Sequence, residues 1–72
     1  MMDPKYKKDD RVLLLKTVTI LASGGFFEFG PYAEGIVLYA IDSRYRVRFI
    51  IANHLSLVAE VPEVDLKGAW ER

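Results

Sequence analysis

The sequence predicts an all-β fold: a small barrel of about five short antiparallel strands, with a short 3₁₀ turn near residues 62–66. Three observations predict it. In residues 44–51, RYRVRFII, Arg44, Arg46 and Arg48 alternate with Tyr45, Val47 and Phe49, the pattern of a strand with one wet face. The other apolar runs are short and rich in Val, Ile and Thr. Turn residues punctuate them: Gly24-Gly25, Gly30-Pro31, Asp42-Ser43 and Asn53-His54.

The elements follow in order. Residues 1–9 carry Lys5, Lys7, Lys8 and Asp9 and read as a polar, solvated lead-in. Residues 10–72 read as one domain. RVLLLKTVTILAS, residues 11–23, reads as the first strand, because the Val-Thr-Ile alternation outweighs the helix-like Leu13–Lys16. Gly24-Gly25 ends it, and residues 24–32, GGFFEFGPY, read as a long aromatic loop. EGIVLYAID, residues 34–42, is the next strand. In RYRVRFII, Arg44, Arg46 and Arg48 fall on one face, and Tyr45, Val47, Phe49 and Ile51 on the other. LSLVAEV, residues 55–61, is a further strand stopped by Pro62. PEVDL suits one 3₁₀ turn, with proline first and acids early.

Seventy-two residues make a single domain near the lower size limit for a self-sufficient core. At 51% hydrophobic residues, such a chain leaves apolar surface to cover, which points to a homo-oligomer or a protein partner. There is no cysteine, so disulfides, thiolate metal sites and Cys nucleophiles are excluded, and a cytoplasmic protein is expected. Ten basic and ten acidic residues cancel, unlike the basic balance of a protein built to grip phosphates. The first residues lack the pattern of a signal peptide, and no apolar run approaches the roughly 18 residues of a membrane span.

The order of signals resembles the SH3-like barrel. Asp10-Arg11-Val12 opens a strand, a long loop follows, Gly35-Ile36-Val37 opens a second strand and YRVRF a third. A fourth strand then leads into Pro62-Glu63-Val64-Asp65-Leu66. This layout, over roughly residues 10–67, is similar to electron-transport accessory proteins. They are the photosystem I ferredoxin-docking subunit, the variable chain of ferredoxin–thioredoxin reductase and the β-chain domain of nitrile hydratase. One enzyme shares it, the plasmid-borne type II dihydrofolate reductase, whose contacts centre on a Val-Gln-Ile-Tyr strand before a proline. Here the matching place reads Val58-Ala59-Glu60-Val61, without the Gln and Tyr.

Catalytic residues are therefore not expected, nor are cofactors or a metal. The one histidine, His54, reads as an exposed turn residue, and Ser56, His54 and Glu60 lack the elbow that a nucleophile needs. Lone histidine and scattered carboxylates are no metal signature. Two surfaces remain as partner-binding candidates. Arg44, Arg46 and Arg48 form a row suited to an acidic partner or to nucleic-acid phosphates; as a merely solvated face, the row would pair with Glu34, Asp42 or Glu60. Phe26, Phe27, Phe29 and Tyr32 form the aromatic loop. If extended, it places Phe27 and Phe29 on one face and Phe26 and Glu28 on the other, so one pair can finish the core while Phe26 meets a partner. The expected function is a non-catalytic binding or assembly module that self-associates or docks on a protein through residues 24–32. A nucleic-acid-binding barrel using the arginine face is the alternative. A minimal enzyme with a site at a symmetry axis is the third reading.

Overall fold

The structure, a computed structural model, describes residues 4–22, 24–52 and 55–71. The chain is all-β, as the sequence predicts. Its strands are β1 (Arg11–Leu14), β2 (Val18–Ala22), β3 (Gly25–Phe29), β4 (Glu34–Ile41), β5 (Arg44–Ala52), β6 (Leu55–Pro62) and β7 (Leu66–Gly68). A 3₁₀ turn, Glu63–Asp65, sits where expected between β6 and β7, with Pro62 as its N-terminal cap.

Five strands form one antiparallel sheet in the order β6-β5-β4-β1-β7, while β2 and β3 form a separate two-stranded sheet. The sheet stays open: β6 and β7 are its two edges, and no pairing joins them among the described residues.

One buried cluster holds the fold together. The inner face of β5 supplies Tyr45, Val47 and Phe49, all at 1% exposure or less, which is the apolar half of the RYRVRF alternation. Tyr6 of the lead-in, Val12 and Leu14 of β1, Val37 of β4, Val61 of β6 and Leu66 of β7 complete it. Gly35 lies opposite Phe49 in the β4–β5 register. A Cβ there would collide with Val47 Cγ1 and come within 2.8 Å of Phe49 Cε1, so only glycine lets these side chains cross β4.

Several expectations need correction. The single first strand is two, β1 and β2, because residues 15–17 turn away: the Leu15 N–H donates to the Asp65 carbonyl at 2.8 Å, and Lys16 Nζ lies 3.2 Å from Asp65 Oδ2. Residues 24–32 are not all loop, since Gly25–Phe29 form β3. The tail adds β7, recruited by pairing with β1 (Val12 opposite Gly68, Leu14 opposite Leu66). With these the strand total rises above the expected five.

The lead-in is not wholly solvated either. Tyr6 is 1% exposed and packs edge-on against Tyr45, ring centroids 5.2 Å apart. The Tyr45 hydroxyl accepts from the Lys5 and Tyr6 N–H groups at 2.8 and 3.2 Å, and the Tyr6 hydroxyl donates to the Leu66 carbonyl. Burial raises the Tyr6 phenol above its ordinary pKa. Asp42-Ser43 forms the expected turn between β4 and β5, with Asp42 at φ 53°. The expected turn at Asn53-His54 lies outside the described residues, and His54 with it.

Candidate partner-binding surfaces

The aromatic loop becomes one arm of a hairpin, and the register sorts its side chains. Val18 pairs with Phe29, Thr19 with Glu28, Ile20 with Phe27 and Leu21 with Phe26. Cross-strand partners share a face. One face therefore carries Val18, Ile20, Phe27 and Phe29, and the other Thr19, Leu21, Phe26 and Glu28. Val18, Ile20 and Phe29 pack on the core, with Phe29 stacked on Phe49 at 5.1 Å between ring centroids and 21° between planes. Phe27 is half-buried beside them. The opposite face is open: Leu21 is 71% and Phe26 73% exposed. The alternation expected from the sequence is thus the one observed. Glycines 24 and 25, both at positive φ, turn the chain next to this exposed pair.

The base of the hairpin is clamped. Leu14 N–H donates to the Ala33 carbonyl at 3.0 Å, and Tyr32 N–H to the Leu14 carbonyl at 2.7 Å. Gly30, at φ 117°, crosses so close that a Cβ would lie 2.6 Å from the Lys16 carbonyl oxygen. Tyr32 stands at φ 71° and is 65% exposed, with Lys67 Nζ 5.7 Å from its ring centroid. It therefore sits apart from the Phe29–Phe49 stack, at the root of the hairpin rather than its tip.

The arginine row occupies the outer face of β5. Arg44 lies between Ile41 and Pro62, Arg46 between Tyr39 and Glu60, and Arg48 between Ile36 and Val58. Of the acids considered, Glu60 takes the partner role, with its Oε2 4.0 Å from Arg46 Nη1; both side chains are more than 40% exposed. Arg44 and Arg48 have no ion-pair partner among the described residues.

Two residues belong to these surfaces that the sequence reading passes over. Leu21 reads there as a strand residue; its signal was the glycine pair, which folds it against Phe26. Tyr39 is turned outward by a β-bulge. The β4–β5 register slips between Val37, which faces Val47 in the core, and Tyr39, which faces Arg46 outside. The run IVLYAI gives no hint of this, because every residue in it is apolar.

No group of three or more metal-ligating side chains comes together among the described residues. Nor, among them, is any helix long and apolar enough to cross a membrane. Comparison with protein-family models, with curated proteins and with solved structures found no match to this chain.

Proposed function

We propose that the protein is a non-catalytic assembly module that self-associates through the tip of the β2–β3 hairpin. One observation carries the reading. Leu21 and Phe26 face each other across the hairpin and are 71% and 73% exposed, although the same two strands turn Val18 and Phe29 onto the core. A two-stranded hairpin is marginal in water on its own, so placing a Leu–Phe pair in solvent is costly unless another surface covers it.

A second copy of the chain is the occupant we favour. The tip is apolar and flanked by Thr19 and Glu28, so two tips related by a two-fold axis can meet Leu21 and Phe26 against their counterparts, with both Glu28 carboxylates at the rim. The lack of cysteine suits a reducing compartment such as the cytoplasm.

The test is association of the Phe26→Ser variant, followed by sedimentation. Phe26 touches solvent more than protein, so the fold should survive unchanged by circular dichroism while self-association weakens. Unaltered association in a folded Phe26→Ser protein would rule out the hairpin tip as the contact.

A further inference from the structure

A second surface lies on the outer face of the main sheet, separate from the hairpin tip. It has three features that point to one kind of partner. The first is the arginine row. Alternate residues of a strand are spaced about 6.6–6.8 Å apart, so Arg44, Arg46 and Arg48 leave the backbone at that interval on one face. Glu60 offsets one of them.

The second feature is a cleft of about 470 Å³ at the end of the row. Ile36 is in register with Arg11 on one side and Arg48 on the other. Both arginines and Glu34 line the cleft, and its apolar wall includes the stacked Phe29 and Phe49. Neither arginine has an ion-pair partner among the described residues. Two guanidinium groups flanking one cleft with one carboxylate leave a net positive seat, sized for a carboxylate and its neighbouring side chain.

The third feature is what stands between the arginines. Ile41 is 38%, Tyr39 50%, Ile50 63% and Val58 39% exposed. The bulge after Val37 is what brings Tyr39 to this side. The face is therefore cationic and aliphatic together. Single-stranded nucleic acid favours platforms of several aromatics within a basic domain; here one tyrosine stands among aliphatic residues in a chain of zero net charge.

We infer that this outer face binds an acidic peptide segment of another protein, lying extended along β5. Carboxylates on alternate residues match the arginine interval, one of them seating between Arg11 and Arg48. The methylene stems of those acidic side chains, on the same face of the peptide, lie over Tyr39, Ile41 and Val58. Charge on the rim of such a contact mainly speeds encounter and selects the partner, while the apolar strip supplies contact area.

The experiment is an NMR titration of the full chain with a short peptide of alternating glutamate and valine. A peptide of alternating lysine and valine and a short oligothymidylate serve as comparisons. The expected result is saturable shifts on β4 and β5 with the acidic peptide alone, weakened at least about ten-fold by Arg48→Glu and by raised salt. Arg11→Glu should weaken binding in the same direction, and Phe26→Ser should leave it unchanged, which separates this surface from self-association. Silence toward the acidic peptide at low salt would overturn the inference. So would undiminished binding in Arg46→Glu and Arg48→Glu, or a preference for the oligothymidylate, which would make the face a nucleic-acid surface.

Discussion

Phe29 stacks on Phe49 with ring centroids 5.1 Å apart, and this contact joins the hairpin to the core of the main sheet. Phe49 is 1% exposed, whereas Phe29 is half-buried, so the pair has a fixed side and a releasable side. Phe29→Ala should cost about 1–3 kcal/mol, less than the loss of a fully buried phenylalanine. Amide exchange should rise in β2 and β3 while β5 stays protected. Uniform loss of protection across the whole chain would show that the hairpin is not a separate unit.

Tyr45 anchors the N-terminal segment through its hydroxyl, which accepts from the Lys5 and Tyr6 N–H groups. Tyr45→Phe keeps the ring in place but leaves both donors without that acceptor. A loss of about 1–3 kcal/mol is expected in urea unfolding, together with faster exchange of the Tyr6 amide. An unchanged midpoint would mean that water replaces the hydroxyl at no cost.

Gly35 has no room for a side chain. Gly35→Ala would drive its methyl into Val47 and Phe49, both buried, so neither can swing into solvent. Destabilisation of about 1–3 kcal/mol is expected, by thermal or urea unfolding. A neutral substitution would mean that β4 can shift to make space.

The Tyr6 phenol gives the fold a dependence on alkaline pH. Burial is the largest cause raising its pKa above 10.0, opposed by Lys5 nearby. The folded state holds this proton more tightly than the unfolded chain. Its stabilising contribution is therefore complete below the ordinary tyrosine pKa and is lost as pH rises through the higher, folded value. Melting temperature should fall more steeply above pH 10.0 in the native chain than in Tyr6→Phe. Parallel curves for the two proteins would contradict this.

Much of this architecture can be read from residue order, for physical reasons. RYRVRF alternates because β5 has a core face and a solvent face, so both its buried row and its arginine row are visible in advance. The inward and outward split of Phe27, Phe29 and Phe26 follows from the same two-residue period, even though β3 itself hides in a glycine-bracketed stretch. What stays hidden depends on distant partners. The break after Leu14 carries no glycine or proline; it is fixed by Asp65, fifty residues along the chain. Leu66–Gly68 is too short and polar to announce a strand and becomes one only beside β1. Tyr6 looks solvated among lysines until Tyr45 supplies its contacts. The bulge that exposes Tyr39 lies in an unbroken apolar run, where the two-residue period cannot be seen.

The central claim is that the exposed Leu21–Phe26 pair meets its counterpart on a second copy. Multi-angle light scattering of the native chain across a concentration series tests it most directly. The account predicts a mass that rises from that of one 8.2 kDa chain toward twice that value. A single-chain mass at every concentration, up to the highest attainable, would contradict it.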